Sequence, residues 1–136
     1  MIQLIALLIA AASPAENPSA ACRGADPAIT NVVPAQTTNN DVNRYTLTID
    51  VTNLGPQGQK ANVLQSVDIV LDGTKNGEKG IPPLAAGQKY SFGYDVLRAE
   101  DARPGSTRVR LHLVVHQPAG VAADCNTAND TFLVKI

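Results

Sequence analysis

The sequence is poor in aromatic residues, charge and sulfur. It has no Trp, three Tyr and two Phe in 136 residues, so its core must consist mainly of Val, Leu, Ile and Ala. Charged residues make up 17%, the net charge is −1 and no polybasic run occurs, which argues against a nucleic-acid-binding protein. Apolar residues make up 44%, which argues against disorder. The length suits a single domain.

An apolar run near the start of the chain is typical of an export signal. Residues 2–12 (IQLIALLIAAA) carry no charge, are too few to span a bilayer and fit the hydrophobic region of a signal peptide. Small residues favour cleavage after Ala15, with Ala12 and Ala21 as alternatives. We therefore divide the chain into a signal peptide (1–15), a short segment containing Cys22 (16–26) and one domain (27–136).

The only two cysteines, Cys22 and Cys125, each precede a strand-like segment, one at either end of the domain. A cysteine pair in an exported protein favours a disulfide. Ser19 stands where bacterial lipoproteins usually carry a Leu-like residue, so we favour the disulfide over a lipid anchor on Cys22. We expect the protein to be periplasmic or extracellular, in a bacterium, with no membrane span in the mature chain.

From residue 27 onward the apolar pattern has a period of two, which predicts strands. In segment 44–53 (RYTLTIDVTN) Leu47 and Ile49 lie on one face, and in segment 106–117 (STRVRLHLVVHQ) Leu111 and Leu113 do the same. No stretch has a helical apolar stripe. Gly- and Pro-rich turns separate seven predicted strands, at 28–33, 43–53, 63–72, 75–81, 88–97, 106–117 and 130–136.

Seven short strands predict an all-β fold, a seven-stranded immunoglobulin-like Greek-key β-sandwich. Asn76-Gly77 is a strong candidate for a tight hairpin turn. Because neighbouring strands run in opposite directions, the first and seventh strands should start at the same end of the sandwich. That placement would allow Cys22 and Cys125 to approach within the distance that a disulfide needs.

Four segments together resemble a CARDB-type domain, an immunoglobulin-like module of secreted and surface-attached prokaryotic proteins. They are ADPAITNVVP (25–34), RYTLTIDVTNLGPQ (44–57), the "strand, D-G, strand, L-x-A-G, strand" middle (67–96) and DCNTANDTFLVKI (124–136). The resemblance covers nearly all of the domain. It implies a sandwich with no common catalytic residues, so no catalytic residue is carried over. CARDB-type domains usually stand in large multidomain chains, whereas this domain follows a signal directly.

The most distinctive surface chemistry is an outward row of Arg108, Arg110 and His112 on the sixth strand. One interpretation is a cross-strand ion pair between Arg110 and Asp68 of the third strand. The other is a patch that binds an anionic ligand or partner.

No convergent catalytic or metal-binding set is visible, so we expect neither enzymatic activity nor a cofactor. The only histidines, His112 and His116, are about 13 Å apart on a strand, too far to share a metal easily. No Gly-x-Ser-x-Gly elbow occurs. The loop 118–130 collects four oxygen-bearing side chains, and we favour a structural turn over a Ca²⁺ site there because no EF-hand spacing is present. Those side chains are Asp124, Asn126, Asn129 and Asp130.

We therefore expect an exported, non-catalytic binding or structural module of the bacterial cell envelope. Its partner would be an envelope protein or polysaccharide, contacted through loops or sheet edges. The alternatives are a secreted enzyme inhibitor or accessory subunit, or a small enzyme with an unrecognised loop site. We expect a monomer or a weak edge-paired oligomer, because Lys135 in the last strand would disfavour edge pairing while Leu133 lies on its outer face.

Overall fold

A computed structural model describes residues 23–99, 103, 105–116 and 127–136. Seven strands follow one another in these ranges, as the sequence predicts. They are β1 (Pro27–Asn39), β2 (Val42–Asn53), β3 (Leu64–Leu71), β4 (Thr74–Ile81), β5 (Lys89–Ala99), β6 (Arg108–His116) and β7 (Thr131–Lys135), with a 3₁₀ turn at Thr127–Asp130 before β7. The main difference is β1, which continues six residues past its predicted end because it pairs along its whole length with β2.

The strands form two antiparallel sheets, β1-β2-β5 and β4-β3-β6-β7. This arrangement confirms the predicted all-β, two-sheet sandwich, and β3 is the neighbour of β6 as expected. The Greek-key connectivity stays a prediction. Within the described ranges, no helix has the length and apolar character needed to cross a membrane.

The core lies between the sheets and consists mainly of aliphatic side chains from alternate strand positions. Leu47 and Ile49 of β2 and Leu111 of β6 are fully buried, and Phe92 of β5 is nearly so. Burial of each such side chain contributes about 1.5–3 kcal/mol relative to exposure. Because every second residue of β2 and β6 is committed to this core, the intervening residues must face solvent on the outer sides of the sandwich.

Two hairpins close with pairs of residues at positive φ, as two-residue turns that fit the strand twist require. Asn40 and Asp41 (φ 50° and 62°) join β1 to β2, and Asp72 and Gly73 (φ 47° and 86°) join β3 to β4. The predicted turn at Asn76-Gly77 is wrong, because both residues lie inside β4.

Gly77 has a packing reason to be a glycine. A Cβ at this position would collide with the ring and hydroxyl of Tyr94, which reaches across from β5. The Tyr94 hydroxyl accepts a hydrogen bond from the Asn76 side chain at 2.6 Å. The Asn-Gly pair therefore joins the two sheets along the β4–β5 side of the sandwich instead of reversing the chain.

A buried asparagine organises the end of the sandwich at which β1 starts. Asn53 is completely buried, and its side-chain oxygen accepts hydrogen bonds from the backbone N–H groups of Asp26 (2.9 Å) and Gly55 (3.0 Å). Its amide donates to the carbonyls of Gln57 (2.8 Å) and Leu84 (3.1 Å). These four bonds fix the start of β1 against the β2–β3 and β4–β5 connections.

The first and seventh strands start close together, as the sequence predicts. The side-chain amide of Asn129, just before β7, donates to both carboxylate oxygens of Asp26, just before β1, at 3.1 and 3.2 Å. Cys22 and Cys125 each stand four positions before one of these residues. Both cysteines and the signal peptide lie outside the described residues.

Candidate functional site

Strand β6 presents the predicted basic row on the outer face of the four-stranded sheet. Arg108, Arg110 and His112 are exposed, whereas Val109 and Leu111 between them are fully buried. The two guanidinium-bearing residues are two positions apart, so their α-carbons are about 7 Å apart on the same face. The predicted orientation of all three side chains is confirmed.

Strand β7 adds a third cation and an exposed leucine beside this row. Lys135 is paired in register with Arg108, and Leu133 is paired with Arg110. Leu133 is 69% exposed and therefore offers apolar surface to solvent beside the cations. We call Arg108, Arg110, Leu133 and Lys135 the β6–β7 basic surface.

The three cations of this surface have no ionic partner among the described residues. No carboxylate in the described ranges lies within 4.0 Å of the side-chain nitrogens of Arg108, Arg110 or Lys135. One acid, Asp72, lies nearby in the β3–β4 turn, but its carboxylate bonds to the backbone of Arg108 and not to a cationic side chain. The Asp72 carboxylate accepts a hydrogen bond from the Arg108 N–H at 2.9 Å, and the Asp72 N–H donates to the Arg108 carbonyl at 2.9 Å.

The surface borders a shallow depression of about 470 Å³ on the outer face of the sheet. Its lining combines aliphatic side chains with the two arginines and the β3–β4 turn, and consists of Val70, Asp72, Gly73, Arg108, Arg110 and Leu133. At the other end of the row, His112 Nδ1 lies 3.1 Å from the Thr131 hydroxyl. Such a site can bind an anionic group beside an apolar one.

The predicted pair between Asp68 and Arg110 is wrong. The strand register sets Asp68 opposite His112, and Arg110 opposite Val70. Asp68 instead lies 3.5 Å from Lys75 of β4.

Lys75 also forms a 3.0 Å ion pair with Glu78, so a single lysine compensates two acids on this half of the sheet. The hydrogen bond to Glu78, followed by the charge of Asp68, raises the pKa of Lys75 above its usual 10.5. The β3–β4 half of the outer face is thus internally paired, and the β6–β7 half is not.

A second depression, of about 390 Å³, lies on the outer face of the three-stranded sheet near the β1–β2 turn. It contains exposed Val42 and Leu97 together with Arg44. Here the arginine has an acid partner, because Arg44 Nε lies 4.0 Å from Asp95. This depression offers less free charge than the β6–β7 basic surface.

The described residues contain no group of three or more His, Cys, Asp or Glu side chains placed to share a metal ion. Of the loop 118–130, only its last four residues are described. They form the 3₁₀ turn before β7, in which Asn129 bonds to Asp26.

Sequence reasoning found the arginines but did not combine them with Lys135, Leu133 and Asp72. The alternation of apolar and polar residues indicates which face of the strand each side chain lies on, and so predicts that Arg108 and Arg110 face outward. Which residues of β7 lie beside them depends on a register between strands about twenty residues apart, and the local pattern carries no signal for that register.

Comparison with known proteins supports the fold. No family model and no curated protein matches the sequence. Among solved structures, a domain of a protein described as a cell surface protein from Methanosarcina acetivorans is similar, with a TM-score of 0.53, 20% identity and coverage of 82% of this chain and 90% of that one. The CARDB domain of a Pyrococcus furiosus protein, in complex with di-metal ions, is similar with a TM-score of 0.51, 18% identity and coverage of 82% and 87%.

The likeness to a CARDB domain confirms the resemblance seen in the sequence, at the level of the fold. Neither of these two structural neighbours is described as an enzyme.

Proposed function

We propose that this protein is an exported, non-catalytic module of the cell envelope that binds an anionic partner through the β6–β7 basic surface. The observation that carries the proposal is the set of three cations without a carboxylate partner in the described ranges, grouped around an exposed leucine. The fold shared with a cell surface domain and a CARDB domain supports the envelope setting.

The chemistry of the surface favours carboxylate groups on the partner. Arg108 and Arg110 offer planar guanidinium groups, which bind carboxylates in a bidentate manner more readily than an ammonium group does. Leu133 adds apolar contact between the charges. Carboxylates occur on acidic proteins and on acidic polysaccharides, and both remain partners under this proposal.

The experiment compares two charge-matched double variants for retention on the native envelope fraction. Arg108→Gln with Arg110→Gln removes two charges from the basic surface, and Arg44→Gln with Lys89→Gln removes two from the outer face of the three-stranded sheet. We expect the first to lose most of its retention and the second to keep it. Equal retention of both variants contradicts the proposal.

Export and a Cys22–Cys125 disulfide belong to the same proposal. The contact between Asp26 and Asn129 supports the bridge, because these two residues, each four positions after a cysteine, lie within hydrogen-bond distance of each other. A bridge enclosing about a hundred residues contributes roughly 4–5 kcal/mol in the chain-entropy model. Mass spectrometry of the non-reduced protein from the host should find cleavage after Ala15 and a mass two hydrogens below that of the dithiol form. Two free thiols would contradict the bridge.

We do not transfer the di-metal binding of the Pyrococcus furiosus domain to this chain. The described residues hold no group of carboxylates, imidazoles and thiols that fits a metal ion. The amide of Asn129, one of the oxygen-bearing residues noted in the sequence, is already oriented by its bonds to Asp26. Among the described residues we therefore assign no metal centre.

A further inference from the structure

The four edge strands differ in how they are protected against pairing with another chain. Strand β1 contains Pro34 and a bulge, β4 contains Gly77 and Gly80, and β5 contains Gly93. Proline, glycine and bulges are the usual devices that weaken an edge. Strand β7 has no proline, glycine or bulge, and its protection against pairing is limited to its short length and to Lys135.

The backbone of β7 presents three residues to an edge at which no strand pairs among the described residues. Thr107 and Ile136 exchange both backbone hydrogen bonds, each at 3.0 Å. Hydrogen-bonded and non-hydrogen-bonded pairs alternate along an antiparallel ladder, so the pairs that contain Lys135, Leu133 and Thr131 are non-hydrogen-bonded. The N–H and C=O groups of these three residues therefore point away from β6.

The two sides of this edge have different chemistry. On the outer side, the side chains of Leu133 and Lys135 adjoin Arg108 and Arg110. On the inner side, Phe132 and Val134 are only half-buried, whereas Ile136 is buried. A strand added here would meet positive charge with its outward residues and apolar surface with its inward ones.

We propose that β7 accepts an extended acidic segment of a partner protein as an additional strand. The segment would alternate acidic residues, which meet the basic surface, with aliphatic residues, which cover Phe132 and Val134. This inference rests on the proposed function and adds the kind of partner and its mode of binding. A second copy of the chain fits less well, because pairing two β7 strands would bring six cations onto one face.

The direct test measures amide hydrogen exchange of the wild-type protein with a synthetic peptide of alternating Glu and Val. We expect the amides of Thr131, Leu133 and Lys135 to slow by about tenfold or more at saturation, as newly bonded amides do. The amides of Phe132 and Val134, already bonded to β6, should change much less. A peptide of alternating Lys and Val is the control and should protect none of them.

A pair of variants at Leu133 distinguishes the contribution of the backbone N–H to peptide binding from that of the side chain. Leu133→Pro removes the outward N–H without removing a bond to β6, and Leu133→Ala removes the side chain but keeps the N–H. We expect Leu133→Pro to weaken binding of the Glu-Val peptide by about tenfold or more relative to Leu133→Ala, the cost of an edge hydrogen bond and its neighbours. If Leu133→Pro does not fold, the exchange result on the wild type decides.

Three results would overturn strand addition. The first is peptide binding without protection of the three amides, and the second is equal binding by both Leu133 variants. The third is binding of an acidic polysaccharide, polygalacturonate, with no binding of the peptide up to about 1 mM. None of these results depends on retention by the envelope fraction, so the proposed function can stand where strand addition fails. Envelope retention that does not depend on Arg108 and Arg110 would refute the proposed function instead.

Discussion

The outer faces of the two sheets differ in how their polar side chains are used. On the three-stranded sheet, each acid has a neighbouring partner: the Ser91 hydroxyl donates to Asp50 at 2.5 Å, and the Thr46 hydroxyl donates to Asp95 at 2.7 Å. Arg44 lies 4.0 Å from the same Asp95. On the β6–β7 half of the four-stranded sheet, Arg108, Arg110 and Lys135 have no such acid in the described part of the chain.

The difference indicates that the acids of the three-stranded face are already bonded, whereas the β6–β7 half of the other sheet holds cations that suit an anionic partner. Exposed ion pairs contribute little to stability, about 0–1 kcal/mol, so neither pattern is required for folding. Like charges placed side by side on neighbouring strands are mildly destabilising, as with Arg108 opposite Lys135. An arrangement that costs stability and is not offset by an acid in the described residues supports the proposed anionic partner.

The largest expected effect tests whether the two faces cover one common core. Leu47→Ala beneath the three-stranded face and Leu111→Ala beneath the four-stranded face should each destabilise the protein by about 2–5 kcal/mol, since both side chains are fully buried. Urea denaturation measures both. If only one variant were destabilised to this extent, the comparison would reflect unequal cores instead of unequal surfaces.

A smaller effect on the free energy of unfolding should distinguish the outer face of the three-stranded sheet from the β6–β7 basic surface. Asp95→Ala removes the acceptor of Thr46 and the ionic partner of Arg44, and should cost about 0.5–1 kcal/mol. Arg110→Gln removes a charge with no described ionic partner and should change the free energy of unfolding by less than about 0.5 kcal/mol. A clear loss of stability in Arg110→Gln would show that its charge is already used within the molecule.

The smallest effect concerns Lys75 on the paired half of the four-stranded sheet. Its pKa is raised in the folded state by Glu78 and Asp68, so its stabilising contribution is complete below the usual value of 10.5 and is lost as the pH rises through the folded pKa. The melting temperature of the wild type should therefore exceed that of Lys75→Gln near neutral pH. This difference should shrink above pH 10.5, and a difference that grew there would contradict the pairing.

Much of this fold could be predicted because β2 and β6 alternate strictly between apolar and polar residues. The outer half of β1 (PAQTTN) lacks that alternation, and it is a strand only because its backbone pairs with β2. The local pattern predicts a turn at Asn76-Gly77, whereas the structure turns at Asp72-Gly73, since both dipeptides carry the same local signal. What distinguishes them is the packing of Tyr94 on Gly77, a contact between distant parts of the chain.

The candidate site could be predicted in part for the same reason. Alternation identifies the outward direction of Arg108 and Arg110 from β6 alone. The pairing of Asp68 with Lys75, and of Leu133 with Arg110, depends on strand register, which is fixed by the assembled sheet. Whether the arginines have an ionic partner also depends on that register, and in the described part of the chain they have none.

The most direct test of the account maps the binding face by NMR. Backbone amide signals of the isotope-labelled protein are followed while the solubilised envelope fraction that retains it is added. We predict that the largest changes fall on β6 and β7 around Arg110 and Leu133, with little change at Thr46 and Asp95. Changes concentrated on the three-stranded face, with β6 and β7 unaffected, would contradict the account.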